Sequence, residues 1–222
     1  MLGLAAVAAV AAMAFIGTAA ASADHEYIGL CKLEELVLCM SQNLIAEELT
    51  GQLLATQIGT GEFKGGLITE KCAGGMAKAK LTSMAMEKVN ELTAQITTFT
   101  FTECKPCTTV KVTTPVNVKL TMGTSLGSDW KVESTENGKA EFSGCALGAT
   151  CIFGGKNITA LVEMSAGQSI LNTNGTSLEF QGGTGGKGFC GENGNWFAKF
   201  GFKYTLSSGQ EHSAFPTLLN LT

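Results

Sequence analysis

Short stretches in which apolar and polar residues alternate recur along most of the chain, and clusters of Gly, Asn, Ser and Thr separate them. The clearest is WFAKFGFKYTL, residues 196–206, where Trp196, Phe200 and Tyr204 fall on one face and Lys199 on the other. Successive side chains of a β-strand point to opposite faces, so this period of two predicts a strand with one buried face. The repeated pattern predicts an all-β fold, an antiparallel β-sandwich.

The stretch WKVESTENGKAEF contains a turn signal between two alternating segments. A three-residue turn over 136–138 would pair Val132 with Phe142 and put both on the face of Trp130, whereas a two-residue turn would put Phe142 on the opposite face. The pattern therefore predicts a bulged hairpin.

Two further segments are less regular. The Ala, Lys, Met and Glu content of 77–90 favours one short helix, whereas the alternation of Met84 and Met86 favours a strand, and both interpretations stay open. A strand is predicted from Leu92 onward. The next apolar and polar alternation is interrupted at Pro115, which predicts an edge strand or a bend there.

The first residues, MLGLAAVAAVAAMAFIGTAAASADHEY, are uncharged and apolar up to an A-x-A pattern that ends at Ala23. This pattern predicts a signal peptide over 1–23, cleaved before Asp24. A membrane anchor is the alternative, but the segment is rich in alanine and no basic residue flanks it. We therefore expect a secreted or cell-surface protein with one domain over 24–222, or a subdivision near 121–128, and no membrane span after cleavage.

An exported chain with eight cysteines is expected to form disulfides, because the export route oxidises thiols. Spacing along the sequence suggests three local pairs and one long-range pair, while Cys72 with Cys104 or Cys107 stays open as an alternative. The suggested pairs are Cys31–Cys39, Cys145–Cys151, Cys104–Cys107 and Cys72–Cys190.

Charge excludes some partners. All 15 basic residues are lysine and the net charge is −4, so the chain lacks the guanidinium groups that grip phosphate and guanine, and nucleic acid is a poor partner. Only Asp24 and Asp129 among the 19 acidic residues are aspartates, which excludes calcium loops of the D-x-[DN]-x-[DN]-G type.

A G-x-G-x-x-G pattern at Gly183, Gly185 and Gly188 raises the question of nucleotide binding. A dinucleotide fingerprint needs a helix immediately after it, whereas the residues that follow predict a strand, so the glycines are interpreted as a wide loop. Cys104-Lys-Pro-Cys107 resembles a redox motif, but its flanks are strand-like and favour structural disulfides. No cofactor, nucleotide or metal is expected.

Catalytic side chains are scarce, since the chain contains two histidines. No G-x-S-x-G motif accompanies His212, so a triad with Asp129 is disfavoured. A secreted hydrolase that uses glutamates or His212 is kept as a second alternative. We predict no catalytic residue.

Aromatic residues carry the binding hypothesis. Trp130 and Trp196 either stack on sugar rings or fill the core, and the alternation around each favours the core. Phe197 points away from Trp196 and is a candidate contact residue. The prediction is a non-catalytic structural or binding module with a cell-wall glycan or protein partner; the first alternative is a carbohydrate-binding module with an exposed tryptophan.

Four segments together, LCKLEELVLC, FTFTECKPC, GCALGATCIFGG and FCGENGNWFAKFGFKYTL, resemble a loosely defined group of secreted, cysteine-containing, β-rich bacterial proteins. The resemblance spans about residues 30–206. It implies export and a disulfide framework, and it carries over no activity.

Overall fold

A computed structural model describes residues 26–32, 52–82, 91–122, 130–165, 168–205 and 209–220. The predicted signal peptide over 1–23 lies outside these residues. Within them, no helix has the length and apolar character needed to span a membrane. Fourteen strands, a 3-10 turn and one short helix make up the described chain. Their bounds are β1 Glu26–Lys32, β2 Gln52–Gly65, β3 Ile68–Leu81, β4 Leu92–Lys105, β5 Thr109–Val112, β6 Val116–Met122, β7 Trp130–Ser134, β8 Gly138–Ser143, the 3-10 turn Ala146–Gly148, β9 Cys151–Gly155, β10 Thr159–Ser165, β11 Gln168–Asn172, β12 Thr176–Gly182, α1 Gly186–Cys190, β13 Asn193–Thr205 and β14 Glu211–Asn220.

The strands form a single antiparallel sheet that closes on itself, because β13 pairs with β2. Four strands of 13 or 14 residues, namely β2, β3, β4 and β13, run the full length of this closed sheet. Each remaining position is filled by two shorter strands placed end to end. Two rings result, β2–β3–β4–β6–β7–β10–β11–β13 and β2–β3–β4–β5–β8–β9–β12–β13.

The all-β antiparallel fold with disulfides is confirmed. Its two layers are the two halves of this single closed sheet, which face each other across an apolar interior. The alternation predicted for 196–206 is also confirmed over 196–205, the residues of this segment that the structure describes: Phe200 and Tyr204 are buried on the inward face, whereas Lys199 and Lys203 are exposed.

Two core clusters fill much of the interior, one in each ring. The first cluster contains Leu81, Leu92, Leu120, Val162 and Tyr204. The second contains larger aromatic side chains, and it is centred on Phe63, Phe142, Phe153, Leu178 and Cys190.

The predicted hairpin over 130–142 is wrong. β7 pairs with β6 and β10, and β8 pairs with β5 and β9, so the two strands continue in one direction past a kink. The backbone N–H of Thr135 donates to the carbonyl of Asn117 at 2.9 Å, beside the break at Pro115. The two kinks lie side by side, which lets both chain segments bend without losing their partners. The predicted interruption at Pro115 is confirmed.

The helix considered for 77–90 is wrong over its first residues, since β3 continues to Leu81. Residues 83–90 lie outside the described part of the chain. The strand predicted from Leu92 is confirmed as β4. β6 and β7, which flank the suggested subdivision, pair in the same sheet, and the domain division stays a prediction.

Three disulfides lie among the described residues: Cys72–Cys104, Cys107–Cys145 and Cys151–Cys190. The local pairs Cys104–Cys107 and Cys145–Cys151 and the link Cys72–Cys190 are therefore wrong, and the alternative of Cys72 with Cys104 is confirmed. Cys39 lies outside the described residues, so the pair Cys31–Cys39 stays a prediction.

Strand register explains these pairs. Cys72 and Cys104 stand opposite each other on β3 and β4, with Cα atoms 4.0 Å apart. β5 pairs with β8, which brings Cys107, just before β5, to Cys145, just after β8. All three bonds gather at one end of the closed sheet, which we call the disulfide end and which comprises residues 65–72, 104–109, 143–151 and 182–193.

Replacing Cys151 and Cys190 together by Ala is expected to lower the free energy of unfolding by about 2–4 kcal/mol, because the disulfide restricts the unfolded chain. Urea denaturation followed by circular dichroism measures the change. Leu147→Ala is the control, since this side chain is fully exposed in the same region. An unfolding midpoint equal to that of the unsubstituted protein would show that the bond does not stabilise the fold.

Candidate functional site

A cavity of about 240 Å³ lies inside the closed sheet, and apolar side chains from both core clusters line it. Small residues make the space: six alanines on the inward faces of the strands line the cavity, namely Ala55, Ala77, Ala79, Ala94, Ala140 and Ala160. Eight-stranded closed sheets are just wide enough to be filled by side chains or to hold one small ligand. Because alanine side chains are small, these positions favour an interior that holds a ligand over one that is filled by side chains.

Trp196 and three phenylalanines form an aromatic wall of this cavity. The ring of Trp196 lies 5.5 Å from Phe99, 5.8 Å from Phe101 and 6.0 Å from Phe200 between centroids. The angles between the ring planes, from 50° to 79°, belong to tilted and edge-to-face contacts that aromatic pairs favour. Trp196 is therefore part of the interior and half-buried.

The other two predicted binding residues lie elsewhere. Trp130 is half-buried and packs against the first core cluster. Phe197 is on the outward face of β13, 41% exposed, with Nζ of Lys64 5.6 Å from its ring centroid. The cavity therefore includes Trp196 and neither of the others.

Glu70, on β3, is a buried acidic residue that also lines the cavity and has 1% of its surface exposed. The backbone N–H of Cys107 donates a hydrogen bond to its Oε2 at 2.8 Å, while Oε1 has no hydrogen-bond partner within the described chain. Burial raises the pKa of this carboxyl, and the hydrogen bond from Cys107 opposes that shift in part. Glu70 also lies near the sulfurs of Cys72 and Cys104, but their disulfide leaves no thiolate to hold a metal.

Gln57, on the neighbouring strand β2, has a second buried oxygen of the same kind. A bulge with Gly59 at φ 69° interrupts the pairing of β2 here. The Nε2 of Gln57 donates to the carbonyls of Gly59 and Cys72, each at 2.8 Å, and its Oε1 has no hydrogen-bond partner in the part of the chain that the structure describes. Gln57 and Glu70 thus both adjoin Cys72.

Two buried hydroxyls that line the cavity are satisfied. Oγ of Ser134 accepts from the N–H of Ile158 at 2.9 Å. Oγ1 of Thr173 donates to the carbonyl of Trp196 and accepts from the N–H of Ala198, both at 2.8 Å. The unpartnered oxygen of Glu70 therefore stands out from these polar groups of the wall. Gln57 is not itself a lining residue, but its Oε1 would lie 3.1 Å from a Cβ added to Gly61, which lines the cavity.

Sequence reasoning missed both residues. One signal was present for Glu70: in LITEKC it shares a face with Ile68 and Cys72, so an acidic residue stood on an inward face. The position of Gln57 depends on the bulge of β2, which the apolar and polar pattern does not reveal.

The glycine-rich segment forms a loop between β12 and β13, as predicted. Gly183, Gly186 and Gly191 have positive φ values of 121°, 61° and 85°, and Cys190 ties the loop to Cys151. The helix α1 within this loop is five residues long.

Of the residues considered for a catalytic triad, only His212 lies in the described part of the chain. His212 lies on β14 opposite Tyr204 of β13, and Asp129 lies outside the described residues. The two cysteines of the C-x-x-C motif belong to different disulfides and are not bonded to each other. This arrangement agrees with the prediction of structural disulfides.

Comparisons with protein-family models, with curated proteins and with solved structures found no match for this chain.

Burial of Glu70 leads to a pH-dependent stability. The folded state raises the pKa of this carboxyl above its ordinary value of 4.5, so the folded protein binds the proton more tightly than the unfolded chain does. The stabilisation that this tighter binding gives the folded state is lost as the pH rises through the folded pKa. The difference in free energy of unfolding between the unsubstituted protein and Glu70→Gln should therefore fall as the pH rises from about 4 to about 8.

Urea titrations of both proteins across this pH range measure the difference, in which all other titrating groups cancel. Lys78→Gln, an outward substitution on the same strand, serves as the control for charge removal. A difference that is constant or grows with pH would contradict the raised pKa.

Proposed function

We propose that this protein is a secreted, non-catalytic binding protein that holds a small apolar ligand inside its closed sheet. The observation that carries the proposal is the cavity of about 240 Å³ with an almost wholly apolar wall. Ligand sites in proteins are typically apolar cavities with a few placed polar groups, and this interior has that composition.

The energetic cost of the cavity distinguishes a site from loose packing. At roughly 24 cal/mol per Å³, an unfilled cavity of about 240 Å³ costs on the order of 6 kcal/mol. Typical domains have a net stability of about 5–15 kcal/mol. An empty cavity of this cost would remove a large part of the net free energy of unfolding, whereas a ligand that fills the space offsets that cost.

The volume also limits the size of the ligand. A cavity of about 150 Å³ accommodates benzene, with its six carbon atoms. By proportion, the present cavity suits a molecule of about ten non-hydrogen atoms.

The disulfides support an extracellular setting. Such bonds persist in oxidising compartments and are rare in the cytosol, and all six cysteines in Cys72–Cys104, Cys107–Cys145 and Cys151–Cys190 are paired. A secreted carrier or sensor of a poorly soluble compound fits both this setting and the apolar interior.

Methyl octyl ether, which has ten non-hydrogen atoms and no hydrogen-bond donor, is expected to bind the purified, oxidised protein in isothermal titration calorimetry. Ala77→Leu should abolish binding, because it adds three carbon atoms at a buried position of the cavity wall. The same substitution should keep or raise the unfolding midpoint, as cavity-filling changes commonly do.

Lys78→Leu is the matched control, since it adds apolar volume at the next residue of β3, on the outward face. It should bind the ether as the unsubstituted protein does. Absence of binding to the unsubstituted protein, or equal binding by a folded Ala77→Leu variant, would contradict the interior site.

A further inference from the structure

We infer that Glu70, which lines the cavity, and Gln57, whose Oε1 adjoins the lining residue Gly61, form a polar end of the cavity and bind the hydroxyl group of an aliphatic alcohol. This inference rests on the proposed function, because it names the class of ligand that the interior would take. The two side chains lie on adjacent strands, both adjoin Cys72, and each has a buried oxygen without a hydrogen-bond partner among the described residues.

Within the described chain, only one of the two polar atoms of each side chain has a hydrogen-bond partner. Glu70 caps the N–H of Cys107 with Oε2, and Gln57 bridges the carbonyls of Gly59 and Cys72 with Nε2. Neither contact uses Oε1. A buried polar atom without a partner costs about 1–3 kcal/mol, so two such atoms beside an apolar cavity call for a ligand group that satisfies both.

The assignment of the Gln57 amide is supported by its neighbours. Both groups within hydrogen-bond distance of Nε2 are carbonyls, which accept hydrogen bonds and so require the NH₂ side of the amide. The remaining atom, Oε1, is therefore an acceptor that needs a donor.

The electrostatics of the pocket select the head group. A ligand carboxylate would face the acidic Glu70 in an apolar surrounding, which is unfavourable. An ammonium group would require Glu70 to be ionised, whereas burial favours its neutral form. The charged residues nearest to Glu70 along β2, β3 and β4, namely Glu62, Lys64, Lys71, Glu103 and Lys105, are half-buried or exposed. Glu62 pairs with Lys64 at 2.7 Å.

A neutral hydroxyl satisfies both atoms at once. It accepts a hydrogen bond from the protonated Oε1 of Glu70 and donates its own proton to Oε1 of Gln57. The alkyl chain then extends along the alanine and aromatic wall near Ala77 and Trp196. A hydroxyl on a chain of about nine carbons matches the volume estimated above.

Two isomers test this inference, 1-nonanol and methyl octyl ether, because they have the same atoms but only the alcohol can donate a hydrogen bond. Calorimetry should show 1-nonanol binding at least about ten-fold more tightly to the unsubstituted protein. Gln57→Met should remove this preference, so that the alcohol and the ether bind with similar affinity, since it deletes the acceptor of the hydroxyl proton.

Glu70 is tested with the same two ligands. Glu70→Met should weaken the binding of both ligands, because the oxygen of the alcohol and the oxygen of the ether each accept a hydrogen bond from the carboxyl. Glu70→Gln should restore binding and the preference, since its amide can both accept from Cys107 and donate to the ligand. Circular dichroism and unfolding midpoints check that each variant is folded.

The outcomes separate the two proposals. Equal affinity for the isomers, or a preference that survives Gln57→Met, overturns the hydroxyl site and leaves the apolar cavity site in place. Failure of Glu70→Gln to restore binding overturns the role of a neutral carboxyl. If neither isomer binds the unsubstituted protein, the proposed function itself fails.

Discussion

Backbone pairing between β13 and β2 closes the sheet, and the interior depends on that closure. The pairing extends from Gly194 opposite Gly65 to Thr205 opposite Gln52, so it covers nearly the whole length of both strands. Closure satisfies the hydrogen-bonding groups that an open sheet would leave at its edges. It also turns the inward faces of all the strands towards one shared space, where apolar side chains are removed from water together.

The closed sheet is long because four strands run its full length and the other positions are built from pairs of shorter strands. Each pair meets at a kink, and kinks on adjacent positions lie side by side, as at Asn117 and Thr135. This arrangement lets the wall bend while its ladder stays paired. The disulfides then hold one end of the sheet, where Cys104 is the penultimate residue of β4, Cys107 lies just before β5 and Cys151 begins β9.

The disulfide end and the cavity are physically coupled through Glu70. Its carboxyl holds the N–H of Cys107 on one side and borders the apolar space on the other. The same residue therefore helps to position the loop that carries two cysteines and supplies the polar group of the proposed site. A single acidic side chain on an inward face is costly to bury, and these two roles give a reason for its presence.

The apolar and polar pattern by itself determined the all-β fold, the inward face of β13 and the break at Pro115, because these depend on residues close together in the chain. The pattern failed for the hairpin over 130–142 and for two local disulfides, since Asn137-Gly138 suits a kink as well as a reversal and cysteine spacing does not report strand register. The cavity is a still more collective property. The alanines at 77, 94 and 160 line a common space only because closure turns the inward faces of β3, β4 and β10 towards one interior, and Gln57 reaches Cys72 only through the bulge at Gly59. Tertiary structure decided these features because they depend on distances between strands, which no local sequence pattern contains.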